Sequence, residues 1–471
     1  MIHGTRRNFL KMSAAAAGIA PFSRVLAAIA FARQGQTKQQ PAAKAQFTLS
    51  KEDDAFLDEI ERRSFRYFWE QTDSNTGIVR GRAHTDASPY DPVRRDCGST
   101  GVTGFGITAL CIAVEHGWVP REQARERVRN TLRFYAERAK DEHGWFYHWL
   151  NVVNGRRTGA AFDSAVLPVP QSMEKGRPRS EVSVSDSTWL IAGGLTAKQY
   201  FKEDPEIGRL AMKIYERVDY GWMRNGHPYL LSHGWMPETG FIVHRYEKYC
   251  QLALMYLLGI GSPARPLPPE AWYAWERNPN SYAGYKYIGE SVLWTYQYPF
   301  AWADFRGRRE KRPPHTDWWG NAIIATRAHR AFCLDLRQEF PGYSQDMWGI
   351  TSSMSATGYK AWGGPPRRSS IDGSVVPCAA AGALMMAPDI ALPVLNAMKA
   401  RFGDKIWGRY GFTDAFNPNN GWVSPDVIGL DVGITLLSAE NLRTGNVWKW
   451  FMRNPEVVRA MRLAGLEKTT D

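Results

Sequence analysis

Apolar residues recur along most of the chain at the three- and four-residue spacing of a helix, whereas the strict alternation of a β-strand is scarce. After Ser50, which with Asp53 resembles a capping box, this spacing predicts a first helix over 51–71. About a dozen helices are expected in all. The others are predicted over 102–115, 183–200, 205–218, 246–258, 318–340, 376–386, 388–402 and 429–442, with one opening at Pro120 and a last pair around Val447 and Val457.

The predicted helices alternate between two kinds. The segment 102–115 is apolar or small on nearly every side, which is typical of a buried helix, while the helix after Pro120 carries one apolar stripe. Helix pairs of this kind, joined alternately by short turns and long aromatic loops, predict an all-α fold in which inner and outer helices form an (α/α)6 barrel. A helical solenoid would show the same alternation, but no repeat of fixed period is visible, which favours the barrel.

The N-terminal residues have the features of an export signal. Arg6 and Arg7 stand together in TRRNFLK ahead of an Ala-rich apolar core, and the tripeptide 28–30 offers a small-residue cleavage site. The apolar core, 12–20, is too short to span a bilayer. We therefore expect a twin-arginine signal peptide over 1–30 and recognition by the twin-arginine (Tat) export machinery.

We expect the mature protein in the periplasm or the medium, and we expect a polar linker over 31–48 ahead of its helical domain. The composition narrows the class of protein further. No later stretch is apolar for long enough to predict a membrane span. The 19 Trp, 20 Tyr and 21 Phe suit a thick core or a groove that stacks on sugar rings. Lys and Arg outnumber Asp and Glu by 59 to 47 but form no basic cluster interleaved with aromatics, so nucleic acid is not an expected partner. The five cysteines lack metal-ligand spacing.

Acidic residues stand beside aromatic ones in four loop segments that lead into predicted inner helices. An ionised carboxylate among apolar neighbours needs hydrogen bonds, a cation, or a role that benefits from a shifted pKa. The candidate side chains are, in chain order, His148, Glu181, Asp186, Glu247, Gln251, Trp348, Tyr359, Asp372, Asp414 and Asp431.

Structural explanations compete with a catalytic one at several of these positions. Ser183 or Ser185 could cap the helix that follows Glu181. Glu247 and Gln251, four residues apart in a predicted helix, could form an exposed pair, and Asp431 could be an ordinary acid in the first turn of a helix.

Acids spread over several loops with aromatic neighbours match the needs of glycoside hydrolysis. That reaction uses one carboxyl to protonate the leaving oxygen, a second to activate water or attack, and flat faces to hold sugars. The chain has no P-loop, no GxGxxG that opens a βαβ unit, no HExxH and no GxSxG, so other common chemistries are disfavoured.

Motifs spread along the chain resemble the bacterial glucoamylase-like domain family, which includes the family-144 endo-β-1,2-glucanases. They are FRYFWEQTDSNTGIVRGR, TGFGITALCIAVEHGW, HGWFYHWLN with EVSVSDS, YLLGIGSPARPLPPEAW, MWGITSS with GYKAW and IDGSVVP, and GFTDAFN with GLDVGITLLSAENLRTG. The resemblance implies a glucoamylase-like catalytic domain over 49–471, an (α/α)6 barrel, and inverting hydrolysis of a glucan without a metal or organic cofactor. It makes Asp431 the candidate general base and places Glu181, Asp186 and Asp372 at the family's polar positions.

Two positions depart from the family pattern. Gln251 stands where relatives carry an acid, and an amide cannot deliver a proton as a carboxylic acid does. Met354 stands where relatives often carry an acid. Glu247, one helical turn before Gln251, is therefore the expected proton donor, with Asp431 as its catalytic partner. The other eight candidates are expected to bind substrate.

The function expected from these observations is an exported glycoside hydrolase. It would act on a polysaccharide or oligosaccharide, either a β-glucan such as a β-1,2-linked one or a related exopolysaccharide. The two departures leave a transglycosylase and a catalytically silent glycan-binding protein as alternatives.

Overall fold

The structure of the protein is a computed structural model that describes residues 47–90, 95–159 and 180–468, together with the strand positions 173–174 and 177–178. The predicted signal peptide lies outside these residues, as does the predicted linker up to residue 46. Within the described part of the chain, no helix combines the length and the apolar character needed to cross a bilayer.

The described chain is rich in helix, as its apolar spacing predicts. In chain order the α-helices are α1 Lys51–Glu70, α2 Thr100–Glu115, α3 Arg121–Glu137, α4 Val184–Tyr200, α5 Pro205–Glu216, α6 Tyr220–Met223, α7 Leu252–Gly261, α8 Ala271–Ala274, α9 Tyr298–Trp302, α10 Trp318–Asp335, α11 Pro377–Ala381, α12 Pro388–Ile406, α13 Gly429–Arg443, α14 Asn446–Phe451 and α15 Pro455–Leu463. Two 3₁₀ turns are Leu293–Tyr296 and Leu336–Gln338.

The strands are short and lie mostly in loops. They are β1 Arg82–His84, β2 Cys97–Ser99, β3 Asp141–Glu142, β4 Trp145–Phe146, β5 Trp149–Asn151, β6 Met173–Glu174, β7 Arg177–Pro178, β8 Val182–Ser183, β9 Gly234–Met236, β10 Gly240–Phe241, β11 Pro279–Tyr282, β12 Tyr285–Ile288, β13 Arg308–Glu310, β14 Trp407–Gly408, β15 Gly411–Phe412, β16 Asp426–Ile428 and β17 Leu466–Lys468. They form antiparallel pairs and one three-stranded set in the order β10-β9-β8.

Two classes of helix follow from the distribution of apolar residues. Nearly every residue of α2, α4, α7 and α13 is buried, whereas α3, α5 and α15 bury one face. Helix α2 packs against α4, α13, α1 and α3, and α4 packs in turn against α5 and α7. The predicted alternation of buried apolar helices and amphipathic helices is confirmed.

Three buried helices begin at the same end of the molecule. Strands β2, β8 and β16 directly precede α2, α4 and α13, and they pair with β5, β9 and β1. At this end, Gly101 of α2 lies against Asp186 of α4, and Gly429 of α13 lies against Val102 of α2. Loops distant in sequence are therefore brought together around three helix starts.

Helices α2 and α4 approach so closely that their backbones touch. A Cβ on Gly104 would lie 2.1 Å from the carbonyl oxygen of Trp189, and a Cβ on Gly193 would lie 2.2 Å from the carbonyl oxygen of Gly104. Because backbone atoms cannot move aside as a flexible side chain can, only glycine fits at this crossing.

The C-terminal ends of α2 and α13 meet α1 in a partly buried ionic cluster. Asp58, Glu61 and His116 form the one group with metal-ligand spacing among the described residues. Arg443 lies within it, because its Nη1 is 2.5 Å from Glu61 Oε2 and 3.5 Å from Asp58 Oδ1. His116 Nε2 is 2.7 Å from Glu440 Oε2. The guanidinium thus supplies the positive charge that a cation would bring, and the cluster joins α1, α2 and α13.

The prediction of a helix over 246–258 is wrong at its start. The helix α7 begins only at Leu252, and the residues before it bond to other loops. The Tyr249 N–H donates to the carbonyl of Glu276, and the Glu276 N–H donates to the carbonyl of Glu247. Glu247 and Gln251 therefore do not share a helical face.

Replacement of Gly104 by alanine is expected to lower the free energy of unfolding by about 1–3 kcal/mol, because the methyl group would overpack the α2–α4 contact. Gly208 of α5 is the matched control, since a Cβ added there would have no other atom within 4 Å. Gly208→Ala should stabilise the protein by about 0.5–1 kcal/mol through helix propensity. Denaturant unfolding of both variants checks this, and equal stability of the two would contradict the close contact.

Candidate active site

Two of the predicted acids lie in the first turns of buried helices. Asp431 is in α13 and Asp186 is in α4, and both are buried. Asp414 reaches the same end from a loop, because its N–H donates to the carbonyl of Asp426 in the strand that precedes α13 (2.9 Å). Asp414, Asp426 and Asp431, which follow one another along the chain, thus form a compact group of carboxyls.

Asp414 and Asp431 are hydrogen-bonded to each other. The Met354 N–H donates to Asp414 Oδ2 (2.7 Å), and the Tyr298 hydroxyl donates to Asp431 Oδ1 (3.2 Å). The remaining buried oxygens, Asp414 Oδ1 and Asp431 Oδ2, have no N–H or O–H donor among the described residues. A hydrogen bond between two carboxyl groups needs a proton, so the pair holds one proton and one negative charge.

Burial and charge assign that proton to Asp414. Burial raises the pKa of both carboxyls, and the neighbouring Asp431 charge raises the pKa of Asp414 further. Hydrogen bonds from Asp414, the Cys378 thiol and the Tyr298 hydroxyl oppose the rise in the pKa of Asp431. Asp431 is therefore the ionised partner, with a pKa still above that of an ordinary aspartate.

A third buried acid next to this pair is neutralised by its own partners. Asp426 forms an ion pair with Arg82 and accepts a hydrogen bond from the Tyr90 hydroxyl, and His84 Nδ1 lies 3.0 Å from its Oδ1. The charge of Arg82 also lowers the pKa of Asp414, but burial and the Asp431 charge outweigh it. Asp426 was not among the candidates predicted from the sequence, although it stands five residues before Asp431.

His148, Glu181 and Asp186 form a second charged centre. His148 Nδ1 lies 2.8 Å from Glu181 Oε1, and its Nε2 lies 3.6 Å from Asp186 Oδ1. Burial opposes a charge on His148, but the two carboxylates outweigh it and raise the pKa of the imidazole to about 9. Burial likewise works against ionised Glu181, yet His148 holds the pKa of Glu181 below its usual value, whereas burial prevails at Asp186 and raises its pKa.

The N-cap that the sequence allowed at α4 is confirmed. Ser183 Oγ accepts the Asp186 N–H (3.2 Å) and donates to Asp186 Oδ2 (2.6 Å). Asp186 is thus both a helix-cap partner and part of the charged centre with His148. Glu181 keeps a buried oxygen, Oε2, without a hydrogen-bond partner among the described residues.

An aromatic wall separates the two centres. The ring of Trp189, one turn after Asp186, lies 5.4 Å from the ring of Tyr298, which also binds Asp431. Trp294, which is partly exposed, lies 5.1 Å from Tyr298. Tyr359 is partly exposed, and its pKa is raised by burial and by the charges of Asp431 and Asp414. Flat, partly open rings between acids provide a surface suited to stacking on sugars.

Three predicted site residues have other places in the structure. Trp348 is fully buried and packs edge-on against His329, so the prediction that it contacts substrate is wrong. One carboxylate oxygen of Asp372 accepts the Ser374 N–H (2.9 Å) in its own turn. Glu247 is exposed, and its charge acts on His227 instead of on the acid pair.

Gln251 stands at the N-cap position of α7 and makes no capping hydrogen bond. Its side chain is half-buried, and Cys250 beside it is half-buried too. The amide therefore stays available for a hydrogen bond, and its role in substrate binding stays a prediction.

The pH dependence of stability tests the shared proton. A carboxyl whose pKa is raised by folding binds more protons in the folded than in the unfolded state, so it makes stability fall as pH rises above about 4. Asp414→Asn removes this group while keeping a hydrogen-bond donor. The variant should match the wild type near pH 3 and be more stable at pH 7 by at least about 1 kcal/mol. Denaturant unfolding across this range checks it. The Asp372→Asn control should show no such gain, and a gain shared by both variants would contradict the assignment.

Part of the chain matches a known family of proteins. The Glycoamylase family model matches residues 243–455. An exo-β-1,2-glucooligosaccharide sophorohydrolase (non-reducing end) of Parabacteroides distasonis is 27% identical over 444 residues, which cover 87% of this chain. The chain spans 58% of the length of that relative.

Solved structures have a similar fold. An endo-β-1,2-glucanase from Chitinophaga pinensis, in complex with sophorotriose and glucose, superimposes with a TM-score of 0.78 at 25% identity, covering 89% of this chain and 99% of its own. A β-1,2-glucanase from Parabacteroides distasonis gives a TM-score of 0.76 at 26% identity, covering 89% of this chain and 60% of its own. The chain thus resembles the glucoamylase-like family over residues 243–455, and the proteins that it resembles include endo- and exo-acting β-1,2-glucan hydrolases.

Proposed function

We propose that the protein is a glycoside hydrolase that cleaves a β-glucan, with β-1,2-linked glucans as its expected substrates. The observation that carries the proposal is the Asp414–Asp431 pair, a buried carboxylate with a proton-holding neighbour beside an aromatic wall. The relatives named above act on β-1,2-glucans or their oligosaccharides, which selects the linkage.

In this proposal Asp431 is the general base. As the ionised member of the pair, it takes a proton from water while the oxygen of that water attacks the anomeric carbon. Asp414, Cys378 and Tyr298 hold the carboxylate in place and stabilise its charge. A carboxylic acid on the other side of the sugar protonates the leaving oxygen, and attack opposite the leaving group inverts the anomeric centre.

The proposal includes closure of the helices into an (α/α)6 barrel. It is supported by the buried helices α2, α4, α7 and α13, by the amphipathic helices packed outside them, and by the grouping of helix starts at one end. In such a ring the long loops before the inner helices form the mouth of the pocket, which is where the acids lie.

Incubation with a panel of glucans tests the activity. We expect the protein to release reducing ends from β-1,2-glucan and to release few from β-1,3-, β-1,4- and α-1,4-glucans. Product sizes distinguish endo from exo action, and proton NMR of the first product distinguishes inversion from retention. Absence of released reducing ends on every glucan would refute the hydrolase.

Gln251 favours two other outcomes in the same panel, because it is an amide at the expected position of the proton donor. A transglycosylase would change the chain-length distribution without new reducing ends. A glycan-binding protein would bind β-1,2-glucan, seen by calorimetry, and leave it intact.

Replacement of Asp431 by asparagine is expected to lower kcat by about 100- to 10,000-fold, because an amide cannot accept the proton from water. Asp414→Asn should keep kcat within about tenfold, since its amide still donates a hydrogen bond to Asp431. The matched control is Asp372→Asn, at an acid held in a turn, which should leave kcat unchanged. A larger loss for Asp372→Asn than for Asp431→Asn would remove Asp431 from the role of base.

We also propose export of the protein by the twin-arginine route to the periplasm or the medium. The support is the Arg6-Arg7 pair with its apolar core and small-residue cleavage site, all in the sequence. Conversion of both arginines to lysine should keep the full-length precursor in the cytoplasm, as seen by cell fractionation and immunoblotting. Normal processing of that variant would argue for a different route.

A further inference from the structure

The start of α7 presents a neutral amide where the reaction needs an acid. Gln251 cannot protonate a leaving oxygen, and Glu247 is exposed and outside any helix. We propose that Glu290 is the proton donor. It belongs to a neighbouring loop, and its carboxyl acts next to the Tyr249–Gln251 turn. This inference rests on the proposed function and names a catalytic residue for it.

Tyr296 fixes the backbone of Glu290 next to that turn. The Tyr296 ring stacks on the Tyr249 ring at 5.2 Å and 28°, and its hydroxyl donates to the carbonyl of Glu290 (2.9 Å). Gly289 has a φ of 142°, and a Cβ there would lie 2.0 Å from the Tyr296 hydroxyl. The glycine lets the chain pass close to this ring, so Glu290 is held directly beside the 249–251 segment.

The Glu290 side chain lines a polar cavity of about 580 Å³. The same cavity is lined by Asn278, whose Oδ1 is buried and lacks a hydrogen-bond partner among the described residues. The half-buried carboxyl of Glu290 forms no ion pair with any described residue, because Arg277 in the same wall is bound to Glu310 at 2.8 Å. Unsatisfied polar groups around a cavity of this size suit a polar ligand such as a sugar ring.

The loop that carries Glu290 leads into the aromatic wall beside the acid pair. Four residues after Glu290 comes Trp294, whose ring lies 5.1 Å from that of Tyr298, and Tyr298 donates to Asp431. The loop that carries Glu290 is therefore linked through Trp294 and Tyr298 to the base Asp431.

Two other carboxyls near the turn are weaker candidates. Glu276 lines the same cavity but is exposed, and its N–H is bound to the carbonyl of Glu247. Glu247 is exposed and acts on His227, which also feels Arg224 and Arg245. Of these three acids, Glu290 is the one that is half-buried in the cavity.

The proton and electron balance is that of inverting hydrolysis. Glu290 gives its proton to the glycosidic oxygen as the bond from that oxygen to the anomeric carbon breaks. Water forms the new bond to the anomeric carbon and gives a proton to Asp431. Proton exchange with solvent then returns Glu290 to the acid form and Asp431 to the carboxylate, so one water is consumed for each bond broken.

The test uses Glu290→Gln with Glu276→Gln and Glu247→Gln as matched controls. On β-1,2-glucan, Glu290→Gln should lower kcat by at least about 100-fold, and Glu247→Gln should stay within about threefold of the wild type. Glu276→Gln, which also lines the cavity, should lose less kcat than Glu290→Gln. On a dinitrophenyl β-glycoside of a β-1,2-glucooligosaccharide, Glu290→Gln should be nearly as fast as the wild type, because that leaving group needs no proton. Gln251→Glu in the Glu290→Gln background should restore cleavage of the glucan.

Several results would overturn the proposal. Equal losses of Glu290→Gln on the glucan and the activated glycoside would indicate a binding or structural role, as would failure of the rescue. A large loss in either control would identify another donor. If the wild type leaves β-1,2-glucan intact and Gln251→Glu cleaves it, Glu290 is not a donor although the fold supports hydrolysis. If both are inert, the proposed function itself fails.

Discussion

The close approach of α2 to α4 and α13 determines where the rest of the site stands. Gly104 and Gly193 let two backbones touch, and Gly429 lets the start of α13 lie against α2. Because short strand pairs hold the loops that precede these helices, their first turns are buried at one end. The chemistry of the site explains why Asp186 and Asp431 are acids. The close approach of the helices explains why they lie on either side of one aromatic wall.

The buried acids at this end are stabilised in three different ways. Asp426 is neutralised by Arg82, and Glu181 is neutralised by a protonated His148. Asp414 and Asp431 form no ion pair with a described residue, and the charge of Arg82 lowers the pKa of Asp414 by less than burial and Asp431 raise it. An ion pair fixes a carboxylate in its charged form, whereas a shared proton leaves Asp431 able to gain and lose one. The distribution of cations therefore supports the proposal that the acid pair is the reactive centre.

Gln251 shows how a site can be rearranged without a change of fold. The loop before α7 bonds to the segment around Glu276, and Tyr249 stacks on Tyr296. These contacts gather chain segments far apart in sequence around one cavity. In the proposed site, Glu290 can therefore supply a carboxyl where the neighbouring segment carries Gln251, although the two residues are distant in the sequence.

Local patterns predicted the helices and part of the site. Apolar spacing and capping residues located most helices to within a few residues, and the acid in the first turn of α13 was recognised from its apolar neighbours. Local spacing was wrong for 246–251, because bonds to Glu276 outweighed helical preference there. The prediction that Trp348 contacts substrate was also wrong, because an aromatic ring suits a buried core as well as a substrate groove.

The sequence by itself determined which segments are helical, which helices are buried on all sides, and which loops carry acids, since those properties depend on neighbours within one or two turns. Only the tertiary structure decided that Asp414 shares a proton with Asp431, and that Tyr298 and Cys378 hold that pair. It alone brought Glu290 beside Gln251. The physical reason is that these contacts join residues distant in the chain, and their distances are set by how helices and loops pack.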